Sequence, residues 1–129
     1  MIVIDTHIWI WLVTEQFHLF TEKQNKSLND NKENLLLSSI SQWEIAKKVE
    51  MGKLKLSMDV LDWIQLAIRI SKIKVIDLTP EIVVQSTKLT DFHKDPADQL
   101  IAATSLIMSC PLVTSDSKII SHNYINTVY

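Results

Sequence analysis

Residues 95–116 read DPADQLIAATSLIMSCPLVTSD, a stretch that places a helical pattern directly before a strand pattern. An aspartate followed by proline is a common helix start, because Asp95 can cap the helix and Pro96 suits its first turn. The apolar residues that follow predict a helix over 95–109. The run PLVTSD then predicts a strand over 111–116.

The rest of the chain alternates in the same way between short apolar runs and longer helical patterns. Such alternation predicts an α/β fold built around a central, mainly parallel sheet flanked by helices. The predicted strands cover 1–5, 34–39, 72–78, 111–116 and 125–129, and the predicted helices cover 6–13, part of 21–34, 41–52, 57–71, 79–92 and 95–109.

Helical spacing also predicts which side chains face the core. The helix over 41–52 would turn Ile45, Val49 and Trp43 inward and stop at Gly52. The first short helix would be capped by Thr6 or by Asp5. In the helix over 57–71 one apolar stripe is expected, made of Val60, Leu61, Ile64, Ala67 and Ile68.

Composition narrows the class of protein. A chain of 129 residues with 47% hydrophobic and 22% charged residues predicts one globular domain spanning 1–129. The net charge of −2 does not by itself indicate binding to nucleic acid. One cysteine, Cys110, excludes an internal disulfide and favours a buried thiol in a cytoplasmic protein. The start, MIVIDTHIWIWLV, carries Asp5 and His7 and no basic leader, so we expect neither a signal peptide nor a membrane span.

Acidic residues fall where predicted strands end and helices begin. In a parallel sheet these positions share one edge, where ligands bind. Each acid also has a purely structural interpretation: Glu44 with Ser41 fits a capping box, and the others suit helix starts or a turn. The acids in question are Asp5, Glu44, Asp95, Asp98 and Asp116.

Capping does not explain why acids also end two apolar strands, at Asp5 and Asp116. Clustered carboxylates repel one another, and a divalent cation relieves that repulsion. Oxygen ligands without a cysteine set favour Mg²⁺ or Mn²⁺ over Zn²⁺. Gly52 is the only glycine, which excludes glycine-rich phosphate loops. The pattern therefore indicates metal-dependent hydrolysis of a phosphodiester.

Three blocks of this sequence resemble the PIN-domain ribonucleases, and specifically the VapC-like toxins of bacterial type II toxin–antitoxin pairs. The blocks are MIVIDTHIWIWL, SSISQWEIAKKVEMGKLKL and FHKDPADQLIAATSLIMSCPLVTSD, in the family's order. The resemblance implies a three-layer PIN-like fold, and an enzyme that hydrolyses RNA with Mg²⁺ or Mn²⁺. It also implies a cognate antitoxin as partner and a homodimer.

Position by position, the resemblance assigns the metal-binding and catalytic acids to Asp5, Glu44, Asp98 and Asp116. Asp95 matches an extra acid that supports the site or caps the helix, and Thr6 matches a hydroxyl hydrogen-bonded near it. Gln99 departs from the subgroup, which often has arginine there. His7 neighbours Asp5, and we expect it to be structural.

Lysines beyond Glu44 are candidates for RNA contact. For most of Lys47, Lys48, Lys53 and Lys55 we expect a solvated helix face and turn; the alternative is that Lys47 and Lys48 hold the RNA backbone as point charges. The tryptophans Trp9, Trp11, Trp43 and Trp63 are expected to pack in the core, with an interface as the alternative.

Two other classes of protein are alternatives to a PIN-domain ribonuclease. A response-regulator receiver domain needs an acidic pair after the first strand and an acid ending a middle strand, and neither is present here. A catalytically inactive PIN-like module that only binds protein or RNA is the second alternative, against which the intact set of four acids argues.

Overall fold

The computed structural model describes residues 1–89 and 94–129, and its centre is a parallel sheet. Five strands lie in the order β3-β2-β1-β4-β5, and every neighbouring pair is parallel. This confirms the predicted α/β class. The strands are β1 (Ile2–Ile4), β2 (Leu35–Ser38), β3 (Lys74–Ile76), β4 (Leu112–Val113) and β5 (Thr127–Val128).

Helices connect the strands, and local sequence explains where they begin. Asp5 caps the first helix, and Thr79 and Asp95 each precede a proline that opens a helix. The α-helices are α1 (Thr6–Val13), α2 (Glu22–Asp30), α3 (Ile40–Glu50), α4 (Val60–Ser71), α5 (Pro80–Thr87), α6 (Pro96–Met108) and α7 (Ser117–Ile120); a short 3-10 helix covers Phe17–Leu19.

The core lies on both faces of the sheet, because successive strand residues point to opposite sides. On one face Ile4 and Leu37 pack with Trp9 of α1 and Trp63 of α4. On the other face Val3, Leu36 and Leu112 pack with Ile82 of α5 and Ile101 of α6. Helices therefore cover the sheet from both sides, and the fold has three layers.

The order of the strands determines where a ligand can bind. The chain runs outward from β1 to β2 and β3, then returns through α5 and α6 to add β4 on the other side of β1. Between β1 and β4 the connections leave in opposite directions, which opens a crevice at the carboxyl ends of these strands. Asp5 follows β1 directly and therefore lies at this crevice.

Several predicted boundaries were wrong. The last two strands have two residues each, α3 begins at Ile40, and α4 begins at Val60, after its cap Asp59. Helix α5 ends at Thr87, so its predicted extension fails at residues 88 and 89, and residues 90–92 lie outside the described part of the chain. Neither α7 nor the 3-10 helix was predicted from the sequence.

The predicted core was right for most residues and wrong for two. Ile45 is fully buried, Cys110 is a buried free thiol, and Trp9 and Trp63 lie in the core. Trp43 and Leu61 are instead 56% and 60% exposed. Gly52 follows α3 with a φ of 72°, as expected for a residue that ends a helix. Among the described residues, no helix is both long and apolar enough to cross a bilayer.

Candidate metal centre

Three of the predicted acids come together at the crevice between β1 and β4. One carboxylate oxygen from each of Asp5, Glu44 and Asp98 lies within 4.8 Å of the other two. These residues come from the end of β1, from the second turn of α3 and from the first turn of α6. Asp5 and Asp98 are only 5% and 8% exposed. Folding therefore gathers negative charge from three distant parts of the chain in one largely buried place.

Asp5 is held by hydrogen bonds to both of its carboxylate oxygens. The backbone N–H of Thr6 donates to Oδ1 at 2.7 Å, so Asp5 caps α1, which is the structural role considered for it. The hydroxyl of Thr114 donates to Oδ2 at 2.7 Å. Capping and membership of the acidic cluster are thus compatible, because each oxygen keeps a free lone pair.

Glu44 is oriented by Thr6. The Thr6 hydroxyl donates to Glu44 Oε1 at 2.5 Å, and its oxygen also lies 2.8 Å from the hydroxyl of Ser41. The capping-box interpretation of Glu44 is wrong, because Ser39 is the N-cap of α3 and Ser41 lies inside the helix. Thr6 was also considered as the cap of α1, but Asp5 takes that position. Thr6 links the first acid to the second.

Asp95 and Asp116 lie outside the group of three and cap helices. Asp95 accepts from the backbone N–H of Ala97 at 2.9 Å, at the start of α6. Asp116 accepts from the N–H of Lys118 at 2.8 Å, at the start of α7. The negative charges of both still raise the pKa of Asp98, which places them around the same crevice.

Burial raises the pKa of all three clustered acids, and neighbouring negative charges raise it further. For Asp98 burial is the largest cause, followed by the charges of Asp5, Asp95, Glu44 and Asp116, and together they raise its pKa to about 8. Burial likewise raises the pKa of Asp5 and of Glu44, although the hydrogen bonds from Thr114 and Thr6 lower it in part. The environment of the site therefore opposes ionisation of these carboxyl groups.

These residues fit a divalent metal ion. Two oxygens on opposite sides of one Mg²⁺ ion are about 4 Å apart, so a spread of 4.8 Å needs only small side-chain movement. A cation in the cluster would offset the burial and repulsion that raise the carboxylate pKa values. All the donors in the group are carboxylate oxygens, which favours hard cations.

The residues that support Asp5 were not predicted from the sequence. Thr114 donates to Asp5 and also accepts from the backbone N–H of Asp116 at 3.1 Å. Gln24 is fully buried, and its side-chain amide donates to the backbone oxygen of Thr114 at 3.2 Å and to Ser115 at 3.1 Å. Only the position of Thr114, two residues before Asp116 at the end of the strand predicted over 111–116, hinted at this role.

The candidate RNA-binding lysines differ from each other. Lys47 is exposed, whereas Lys48 is half-buried and its ammonium lies 3.3 Å from Nε2 of His7. Burial and the charge of Lys48 lower the pKa of His7, and the charges of Asp5 and Asp116 act in the opposite sense. Gln99 follows Asp98 in α6 and is half-buried.

Comparison with known proteins agrees with this architecture. A profile of the PIN domain family matches residues 2–123. Ribonuclease VapC22 of Mycobacterium tuberculosis (strain ATCC 25618 / H37Rv) is 27% identical over 124 residues, which are 95% of this chain and 92% of that protein.

Solved structures share the fold. VapBC2 from Rickettsia felis, bound to a DNA fragment from its promoter, superposes with a TM-score of 0.69 at 19% identity, over 98% of this chain and 97% of that one. DNA-bound VapBC from Salmonella typhimurium gives a TM-score of 0.70 at 18% identity, over 98% and 97%. Since the family profile spans nearly the whole chain, the chain belongs to the PIN domain family.

Proposed function

We propose that this protein is a ribonuclease that hydrolyses RNA phosphodiester bonds with Mg²⁺ or Mn²⁺. The observation that carries the proposal is the convergence of Asp5, Glu44 and Asp98 within 4.8 Å at the crevice between β1 and β4. Membership of the PIN domain family and similarity to a protein named a ribonuclease support it.

Asp5, Glu44 and Asp98 hold the metal ion in this proposal, and Asp116 approaches it from the N-cap of α7, three residues after β4. A bound Mg²⁺ or Mn²⁺ ion supplies a Lewis acid that activates water and offsets charge on the phosphate. The protein's contribution is to fix the ligands in advance. Thr114 fixes Asp5, and Thr6 fixes Glu44, so neither carboxylate has to search for its orientation when the ion binds.

Asp98 adds a different property to the site. With a pKa of about 8, it carries a proton at neutral pH as long as no cation is present. Metal binding therefore releases that proton, and the affinity for the metal should rise with pH up to about pH 8. Asp95 caps α6 and thereby positions Asp98 in the first turn of the helix.

In the cell, we propose, the protein is the toxin of a type II toxin–antitoxin pair, acts in the cytoplasm as a single PIN domain over 1–129, and pairs with a second copy of itself. Solved neighbours of the same fold are described as toxin–antitoxin and VapBC complexes, which supports an antitoxin as the partner. The single free cysteine suits a reducing compartment.

RNA cleavage by the purified protein tests the proposal. We expect cleavage of single-stranded RNA with Mn²⁺ or Mg²⁺, none with EDTA, and none from Asp5→Asn or Asp98→Asn. Asp62→Asn is the matched control, because Asp62 is the third residue of α4, as Asp98 is the third residue of α6, and it lies outside the cluster.

Two outcomes would contradict the proposal. Cleavage that survives both EDTA and the two cluster substitutions would exclude the metal mechanism. A wild-type protein that binds Mn²⁺ and RNA but never cuts would instead identify an inactive binding module. Mapping RNA ends in cells that express wild type beside Asp5→Asn would name the substrate.

A further inference from the structure

A lysine and a histidine meet beside the metal centre without belonging to it. His7 lies on α1, two residues after Asp5, and Lys48 lies on α3, one turn after Glu44. The Lys48 ammonium and His7 Nε2 are 3.3 Å apart. Residues four apart on a helix are neighbours on one face, so Lys48 stands next to Glu44 and leans across to α1.

The direction of this hydrogen bond depends on the tautomer of His7. An ammonium group has three N–H donors and no acceptor, so Lys48 donates and His7 Nε2 accepts in the neutral tautomer that carries its proton on Nδ1. A neutral imidazole therefore holds the ammonium without cancelling its charge. Two donors of Lys48 remain for another acceptor.

A carboxylate partner would have cancelled that charge, and the crevice offers many. Within residues 1–89 and 94–129, however, Lys48 forms no ion pair within 4.0 Å. The ion pair that is present joins Lys26 to Asp30, on the surface of α2. Lys48 is close enough to the cluster for its charge to lower the pKa of Glu44. It is a cation at the edge of an acidic site, fixed by an uncharged side chain.

From this geometry we infer that Lys48 contacts an RNA phosphate beside the metal centre and that His7 is the residue that positions it. The inference rests on the proposed ribonuclease function. A single-stranded RNA that enters the crevice brings phosphates to a rim lined by carboxylates, which repel them. A fixed ammonium group offsets that repulsion at one phosphate and loses less side-chain entropy than a free lysine does.

The competing explanation is a general effect of surface charge, and Lys47 distinguishes the two. Lys47 is the adjacent residue, carries the same charge and is exposed. If charge alone attracts the RNA, Lys47→Gln and Lys48→Gln should weaken binding equally. If the position of Lys48 matters, Lys48→Gln should have the larger effect. Lys32→Gln, in the turn before β2 at the opposite edge of the sheet, controls for net charge.

Binding of a short fluorescein-labelled single-stranded RNA, followed by anisotropy with Ca²⁺ in place of Mn²⁺, is the first readout. Lys48→Gln should weaken binding about five- to tenfold at low salt, the loss expected for one charge-assisted contact. It should also reduce the slope of log Kd against log salt by about 0.7, the value for one phosphate on a single strand. Mn²⁺ affinity, measured by calorimetry, should change less than RNA affinity.

His7 is tested by two substitutions. Gln can place its side-chain oxygen near the position of Nε2 and so keep an acceptor, whereas Leu removes it. We expect His7→Gln to bind RNA nearly as wild type does, and His7→Leu to lose most of what Lys48→Gln loses. The double variant His7→Leu, Lys48→Gln should be no worse than Lys48→Gln alone, since both changes remove one contact.

Equal Kd values and salt slopes for wild type and Lys48→Gln would overturn the inference, as would a Lys47→Gln variant that loses as much. Additive losses from His7→Leu and Lys48→Gln would remove the positioning role. Because the readout is binding, a protein that binds RNA through Lys48 but fails to cut it refutes the proposed activity alone. A protein that cuts RNA with unchanged binding in Lys48→Gln refutes this inference alone.

Discussion

Replacing Asp98 by asparagine should stabilise the metal-free protein at neutral pH while destroying its metal site. Asparagine keeps the size of the side chain and removes a carboxyl group whose ionisation is opposed by burial and by the charges of four neighbouring acids. The ordinary pKa is 3.8 and the pKa in the folded protein is about 8. Between about pH 4 and pH 8 the folded state therefore keeps a proton on Asp98 that the unfolded state has released. The free energy of unfolding consequently falls as the pH rises through that window.

The size of the effect follows from this window. At pH 7 the folded protein keeps Asp98 protonated about three pH units above its ordinary pKa, which would cost about 4 kcal/mol at 1.36 kcal/mol per unit. Water at the rim and the sharing of repulsion among several carboxylates reduce this limit, and we expect about 2 kcal/mol. At pH 4 the difference should nearly vanish.

Urea unfolding of wild type and Asp98→Asn at several pH values, in EDTA, measures the difference directly. The stability gap should open from pH 4 to pH 8 in favour of the variant, and Asp62→Asn should follow wild type. Adding Mn²⁺ should stabilise wild type by about 2.7 kcal/mol at a hundredfold excess over Kd and should leave Asp98→Asn nearly unchanged. Parallel pH profiles for wild type and Asp98→Asn would refute the argument that this carboxyl is held protonated.

Three further substitutions test the fold and the support of the site. Thr114→Val removes the hydroxyl that holds Asp5 and should weaken Mn²⁺ binding about tenfold in calorimetry; unchanged affinity would show that Asp5 needs no such support. Ile45→Ala opens a cavity at a fully buried position and should lower the free energy of unfolding by about 2–5 kcal/mol, measured by urea denaturation. Gly52→Ala should cost about 1 kcal/mol in the same assay, because a side chain there meets no neighbour within 4 Å but must adopt a φ of 72°.

The site could be predicted from sequence as a set of acids but not as a set of contacts. Asp5 is visible because it stands between a strand and a helix, and Asp98 because it lies in the first turn of a helix that an Asp–Pro pair opens. Glu44 is less so, since its helix begins earlier than its sequence suggests and brings it into the second turn. Thr114 and Gln24 are neutral side chains whose roles depend on a partner far along the chain, so no local pattern marks them.

The core shows the same division. Apolar spacing correctly predicted that Ile45 is buried, because residues three to four apart lie on the same face of any α-helix. It failed for Trp43 and Leu61, since hydrophobicity says that a residue tolerates burial but not that a neighbouring element covers it.

The amino-acid sequence by itself determined the alternation of strands and helices, the parallel sheet and the edge at which the acids lie. Each of these follows from backbone preferences and apolar spacing over a few residues. Only the tertiary structure decided that β4 joins β1, which brings Thr114 to Asp5, and that α3 packs close enough to α1 for Lys48 to reach His7. Those contacts join residues far apart in the chain, and their geometry depends on how whole elements pack, which local sequence does not encode.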